Sequence, residues 1–261
     1  MKTFFVCIAT FGILFCSAQQ MILDTSITVQ VLANKGTSKN DQTKSTLKAL
    51  VVPVGLITYG FIALGNNELR QLDRSTKATI TTNHVGYKTT IDNYLQFIPA
   101  VSVYALNLCG VKGKNNIRDR TMLYALTSII STGFVKPLKY VTKSTRPDGS
   151  CNNSFPSGHT TTAFASAEFL RQEYRDVSPW YGIAGYAVAV TAGSLRVYNN
   201  KHWVSDVVAG AGFGILSTKI AYWIYPYIKK KLFKHKPMNA LIMPYYKVGN
   251  GGVAFVYNFR K

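Results

Sequence analysis

The sequence has few acidic residues for its many basic ones. Only 11 Asp and Glu stand against 30 Lys and Arg, which gives a formal net charge of +19 and a pI near 9.8. Such an excess favours anionic partners, among them phosphate esters, anionic lipids and nucleic acids. The chain has no zinc-finger spacing and no basic heptads, so we expect no nucleic acid partner. It also lacks internal repeats and any break in composition, and its 261 residues predict one domain.

Cysteine is scarce, and two of its four positions lie near the start of the chain. Residues 1–18 combine an early Lys, an apolar run and small residues at Ser17 and Ala18, a pattern typical of a cleavable secretory signal peptide. Its removal leaves Cys109 and Cys151, too few for a disulfide framework although an exported compartment would allow one bridge. We therefore expect an exported protein with two unpaired cysteines.

Long uncharged apolar runs are rare. Apolar stretches of helical length cover residues 47–64, 94–111, 121–141, 159–170, 180–195 and 203–228. They predict an all-α bundle of about six helices with the phosphate site at one end. A membrane span needs roughly 20 apolar residues, and only residues 94–111 come close without a charge. The mean hydropathy of +0.06 is low for a chain that lies mostly in a membrane.

Three basic segments, residues 112–120, 171–175 and 229–236, are predicted to lie at one side of the bundle. The positive-inside rule places that side in the cytoplasm. With an exported N-terminus, either five spans or none satisfies this arrangement, and five spans leave residues 47–64 at the surface. We expect a protein of the bacterial inner membrane with its active site facing the periplasm, or a periplasmic protein.

The predicted organisation has four parts. After the signal peptide come a polar leader at residues 19–46, a helical body at 47–236 and a tail at 237–261. Alternating apolar residues around Gly251 and Gly252 predict a β-hairpin in the tail. The small residues from Gly210 to Gly214 predict a close approach of helix backbones.

Two short segments in the second half carry anion-binding chemistry. Lys139 and Arg146-Pro147 place two cations at the end of a predicted helix, and Arg offers a planar fork of donors to phosphate. Ser157, Gly158 and His159 precede another helix, whose free N–H groups and dipole favour an anion. Alone, each segment also suits a plain helix terminus, with cations facing solvent or a Ser N-cap beside an incidental His.

A third segment joins Arg196 to His202 and Asp206. The last two lie four residues apart, so at the start of a helix the carboxylate can hold one ring nitrogen while the other points outward. This geometry orients a nucleophile or a base, although isolated His and Asp pairs are often structural. In a chain with only four histidines, chance is a poor explanation for all three segments in this order.

The three segments together resemble the signature of the type 2 phosphatidic acid phosphatase and vanadium haloperoxidase superfamily, over about residues 121–228. The resemblance implies a phosphatase without metal or other cofactor. It assigns nucleophilic attack to His202, its orientation to Asp206 and protonation of the leaving group to His159. The residues that it assigns to phosphate binding are Lys139, Arg146, Ser157, Gly158 and Arg196. The family often has Ser where this chain has Leu195, which puts one hydroxyl contact in doubt.

Several functions fit these residues. The leading one is hydrolysis of phosphate monoesters or pyrophosphates of lipids through a phosphohistidine, in a protein at the membrane. A soluble acid phosphatase for small phosphomonoesters is the alternative because the helices are short and partly polar. A vanadium haloperoxidase and a non-catalytic envelope protein that binds anionic lipid are weaker alternatives. The sequence does not predict an oligomeric state.

Overall fold

A computed structural model describes residues 39–83, 88–232, 240–247 and 250–257, with side chains for 49–82 and 88–232. The chain divides into two units, residues 1–49 and 50–261, and the second contains the candidate site. In chain order the helices are α1 (Lys39–Gly65), α2 (Asn67–Asn83), α3 (Asp92–Leu95), α4 (Ile98–Leu108), α5 (Ile117–Thr142), α6 (Gly158–Tyr174), α7 (Pro179–Tyr198) and α8 (Val204–Leu232). The strands are β1 (Ala240–Lys247) and β2 (Asn250–Tyr257).

The predicted all-α bundle with a C-terminal hairpin is confirmed. All six apolar stretches are helical, but the stretch at 94–111 is broken into α3 and α4. Pro99 lies in the first turn of α4, where its missing N–H is tolerated, whereas a continuous helix would have lost a hydrogen bond there. Helix α2 was not predicted, because it is polar and lacks a wide apolar stripe.

The predicted segments at the two ends of the chain are only partly covered by the described residues. The predicted signal peptide lies outside the described residues, and so do residues 19–38 of the predicted polar leader. Its last residues, 39–46, belong to α1, which begins at Lys39. In the tail, β1 pairs antiparallel with β2, and Lys247 lies opposite Asn250.

Polar side chains determine where several helices begin. Asn116 caps α5 by accepting a hydrogen bond from the Asp119 amide at 2.9 Å. Ser157 caps α6 and Ser178 caps α7, whose first residue is Pro179. These residues satisfy amides that have no acceptor within their helix. The caps therefore fix the starts of the helices that border the site.

Helix α6 is the centre of the bundle and packs against α4, α5, α7 and α8. The predicted close approach at Gly210 to Gly214 is confirmed. A Cβ added at Gly210 would lie 2.7 Å from the carbonyl oxygen of Ser157, and one at Gly214 would collide with the backbone of Thr161. Only glycine lets α8 come so near to α6.

The end of the bundle formed by the start of α5 is held together by ion pairs, of which the one between Arg120 and Glu173 is buried. Arg120 bonds Glu173 at 3.2 Å, and Asn115 bonds the same carboxylate at 2.6 Å. Lys229 pairs with Asp119. Residues from all three predicted basic segments thus meet at one end. Because α5 has 26 residues, its other end lies about 39 Å away.

Among the described helices, α8 alone is long and apolar enough to cross a membrane. Within its most apolar stretch of 18 residues, 56% is buried inside the protein. Helices α1 and α2 together would provide a second span, but the chain bends by 92° between them. Lys219 of α8 and Glu168 of α6, two charges that interrupt the predicted apolar stretches, pair at 3.0 Å. The choice between five spans and none therefore stays a prediction. Cys109 and Cys151 are exposed and unpaired.

Candidate phosphate site

The three predicted segments meet at the end of the bundle opposite the ion pairs. The Ser157 amide donates to the carbonyl of Asp206 at 3.0 Å, and the Trp203 indole donates to the carbonyl of Thr145 at 2.8 Å. A Cβ added to Gly158 would lie 4.0 Å from the Lys139 side chain. The end of α5, the start of α6 and the α7–α8 connection are therefore parts of one site.

His202 and Asp206 form a buried pair in this site. The Nδ1 atom of His202 lies 3.5 Å from Oδ2 of Asp206, and the two side chains are 2% and 0% exposed. Asp206 Oδ2 also accepts hydrogen bonds from the Ser154 hydroxyl and, at 2.9 Å, from the Trp203 amide. Because Asp206 is held by these donors, it fixes the side of the imidazole that faces it. The other ring nitrogen, Nε2, is left for a ligand.

Burial lowers the pKa of His202, although hydrogen bonding to Asp206 opposes the shift. The nearby charges of Lys139 and Arg196 lower the pKa further. The imidazole is therefore neutral at pH 7, the form in which a ring nitrogen carries the lone pair that a nucleophile needs.

Three cations surround this histidine, and their contacts leave donors available. Lys139 donates to the carbonyls of Asn153 at 2.5 Å and Ser154 at 3.3 Å. The buried Nε atoms of Arg146 and Arg196 have no hydrogen-bond partner within the described part of the chain. An oxyanion placed between the two guanidinium groups would satisfy these buried donors.

The carboxylate of Asp92 in α3 occupies part of this cationic site. Arg196 Nη1 pairs with Asp92 Oδ2 at 2.5 Å, and both side chains are at least nine-tenths buried. Asn199 also donates to Asp92, at 3.3 Å. Sequence reasoning missed Asp92, although it is the only acidic residue between Asp73 and Asp119 in a chain with few acidic residues. Ser154, just before the second segment, was missed as well.

His159 lies in the first turn of α6, where its Nε2 is 2.9 Å from the Asn93 side-chain oxygen. Burial, followed by the charge of Arg196, lowers the pKa of His159 to about 4. A neutral His159 can receive a proton but cannot donate one to a leaving oxygen. Bound phosphate would raise this pKa, because its negative charge offsets the arginines that lower it.

Ser157 and Gly158 lie where α6 begins. The Ser157 hydroxyl is buried and caps the helix by accepting a hydrogen bond from the Thr160 amide at 3.5 Å. It also accepts one from Thr160 Oγ1 at 2.9 Å. Gly158 is the first residue of the helix, and its amide has no intrahelical acceptor. Leu195 is half-buried and Ser194 is exposed, so no serine takes the position that the family often uses.

The part of the chain that contains these residues is similar to known proteins. Residues 120–230 match the model of the PAP2 superfamily. This part of the chain is therefore similar to the PAP2 superfamily, and the predicted resemblance to type 2 phosphatidic acid phosphatases is confirmed.

Two curated relatives and one solved structure are similar to this chain. A Lipid A 1-phosphatase of Porphyromonas gingivalis is 42% identical over 139 residues, 53% of this chain and 31% of the relative. The Bacitracin transport permease protein BcrC of Bacillus licheniformis is 31% identical over 96 residues, 36% of this chain and 45% of the relative. The chain thus spans less than half the length of these relatives.

The solved structure is a transmembrane PAP2 type phosphatidylglycerolphosphate phosphatase from Bacillus subtilis. It is similar with a TM-score of 0.51 and 24% identity, over 69% of this chain and 98% of that one. At this identity the similarity concerns the fold.

Proposed function

We propose that this protein is a phosphatase that hydrolyses phosphate monoesters or pyrophosphates of lipids through a phosphohistidine at His202. The observation that carries the proposal is the buried His202–Asp206 pair surrounded by Lys139, Arg146 and Arg196. The pair supplies an oriented nucleophile, and the three cations supply the counter-charge that a transferring phosphoryl group needs. Such stabilisation acts mainly through positioning and electrostatics.

In the first step, Nε2 of His202 attacks phosphorus while the bond from phosphorus to the leaving oxygen breaks. His159, protonated once phosphate occupies the site, gives its proton to that oxygen and releases an alcohol or a phosphate. The Nδ1–H of His202 faces Asp206, which offsets the positive charge on the imidazole.

In the second step, water attacks the phosphohistidine and the bond between phosphorus and nitrogen breaks. His159 takes a proton from that water, and inorganic phosphate leaves. The cycle consumes one water for each ester and returns both histidines to their starting protonation states. Phosphate oxygens are bound by the three cations and the Gly158 amide, with Ser157 as a further contact.

A lipid substrate is supported by the name of the Porphyromonas gingivalis relative, a Lipid A 1-phosphatase, and by exposed apolar side chains on α1 and α5, among them Val51, Phe61 and Ile129. With α8 as one span and the basic end in the cytoplasm, the phosphate site would face the periplasm. The alternative, a soluble phosphatase for small phosphomonoesters, draws support from the buried charges of Glu168 and Lys219 in the bundle. Recovery of all protein in a salt-washed soluble fraction without detergent would favour that alternative.

The phosphohistidine is tested by trapping. Detergent-solubilised protein is mixed with short-chain phosphatidic acid labelled with ³²P at the phosphate and quenched in alkali, which preserves phosphohistidine. We expect label on the wild-type chain and none on His202→Asn, with phosphate release reduced about 10³-fold or more. His235→Asn, outside the three segments, serves as the matched control and should retain both the label on the chain and the release of phosphate. Full activity of His202→Asn would refute the assigned mechanism.

A further inference from the structure

A second basic cavity lies beside the phosphate site and plays no part in the mechanism above. Its volume is about 510 Å³, and Asp206, Trp203 and the residues just after α5 line it on one side. The polar helix α2 lines the opposite side with Arg70 and Arg74. Because Asp206 borders both spaces, the cavity lies next to the carboxylate that orients His202.

Helix α2 is held firmly at this cavity. Asp73 accepts hydrogen bonds from the Ser205 amide at 3.0 Å and from the Ser205 hydroxyl at 2.6 Å. Lys77, one turn further along, lies 5.6 Å from the centre of the Trp203 ring. Both contacts fix α2 against the start of α8, and Arg70 and Arg74 lie on the same helical face as Asp73 and Lys77.

The charges in the cavity are unbalanced in favour of an anion. Arg70, Arg74 and Lys143 all line it, and none of them forms an ion pair with a carboxylate in the described residues. Of the two lining carboxylates, Asp73 is bonded to Ser205, and Asp206 is bonded to Ser154 and Trp203. Two arginines and a lysine lining one cavity match the charge that a phosphate group requires, and the arginines also offer the matching donor geometry.

We infer that this cavity is a second anion site, in which Arg70, Arg74 and Lys143 bind a phosphate group next to the catalytic one. The inference rests on the proposed function only in that the first site is taken to bind phosphate. The second phosphate could belong to a lipid headgroup or be free phosphate. Both share the chemistry that the cavity recognises.

The test counts phosphate sites by equilibrium dialysis of full-length protein in detergent against ³²P-labelled inorganic phosphate. We expect two equivalents for the wild type, one for Arg70→Gln/Arg74→Gln and one for Arg146→Gln, which weakens the catalytic site. The charge-matched control, Lys112→Gln/Arg175→Gln, removes two cations from the opposite end and should retain two. Equal binding by the wild type and Arg70→Gln/Arg74→Gln would overturn the second site.

The same experiment separates this inference from the proposed function. If one equivalent of phosphate is lost in Arg70→Gln/Arg74→Gln but none is lost in Arg146→Gln, the cavity binds phosphate and the catalytic assignment fails. Hydrolysis of p-nitrophenyl phosphate by Arg70→Gln/Arg74→Gln should stay within about twofold of wild type, because neither residue touches the catalytic groups. That result also shows that the variant folds.

A second arm identifies the source of the phosphate. In the His202→Asn background, dihexanoyl phosphatidic acid is not hydrolysed and competes with labelled phosphate. Displacement of both equivalents means that the cavity accepts a lipid headgroup. If the lipid displaces only the equivalent that is also lost in Arg146→Gln, the cavity binds free phosphate.

Discussion

The buried pair of Asp92 and Arg196 offers the sharpest test of the site, because it links stability to phosphate binding. Asp92→Asn keeps the shape of the side chain but removes its charge. Arg196 would then be a buried cation without a counter-ion, since the two side chains are 1% and 9% exposed. Removing one partner of a buried pair destabilises a protein by about 3–5 kcal/mol.

We expect the lower part of this range, about 3 kcal/mol, because asparagine retains an oxygen that can accept a hydrogen bond. For a chain of this size the loss corresponds to a fall in melting temperature of about 6–12 °C. The matched control is Asp176→Asn, whose partner Arg175 is 44% exposed and whose own side chain is 69% exposed. An exposed pair contributes about 0–1 kcal/mol, so the control should melt almost as the wild type does.

Phosphate should reverse part of the defect. In the wild type, phosphate competes with Asp92 for the Arg196 guanidinium, whereas in Asp92→Asn it supplies the missing negative charge. Thermal unfolding in detergent, followed with and without phosphate, should therefore show a larger stabilisation by phosphate in the variant than in the wild type. An unchanged melting temperature in Asp92→Asn would refute the energetic role of the pair. An equal response to phosphate in both proteins would refute the place of Arg196 in the site.

Three other predictions address packing, pH and topology. Gly214→Ala should destabilise the protein by about 1–3 kcal/mol or more, because its Cβ would collide with the backbone of α6. Gly55→Ala is the control: its Cβ would enter open space, so it should be neutral or stabilising when both variants are unfolded by chemical denaturation. Burial places the folded-state pKa of His202 below its ordinary value of 6.5, so the unfolded chain binds the extra proton. Stability should be full above about pH 6.5 and fall as the pH drops, and His159, whose pKa is also lowered by burial, contributes over the same range. Each of the two histidines adds a slope of up to about 1.4 kcal/mol per pH unit. His202→Asn should remove one of the two contributions, and a slope unchanged in that variant would contradict this linkage. Finally, a membrane-impermeant maleimide applied to intact cells should label Cys151, in the loop at the site end, and not Cys109 at the basic end; the reverse pattern would contradict the proposed orientation.

Much of the fold could be predicted from sequence because helical periodicity and capping are local. The apolar stretches gave the helices of the bundle, and Ser157 and Gly158 marked the start of α6. Helix α2 could not be predicted in the same way. It is polar, and its position depends on Asp73 bonding Ser205, a residue 132 positions away in the chain.

The sequence alone determined which groups we propose as catalytic, because the order and spacing of Lys139, Arg146, His159, Arg196 and His202 are local patterns of specific chemistry. Only the tertiary structure decided what surrounds them. In the folded chain Asp92 pairs with Arg196, Ser154 donates a hydrogen bond to Asp206, and burial lowers the pKa of His202. Contacts between distant segments have no local periodicity, and burial is a property of the packed bundle.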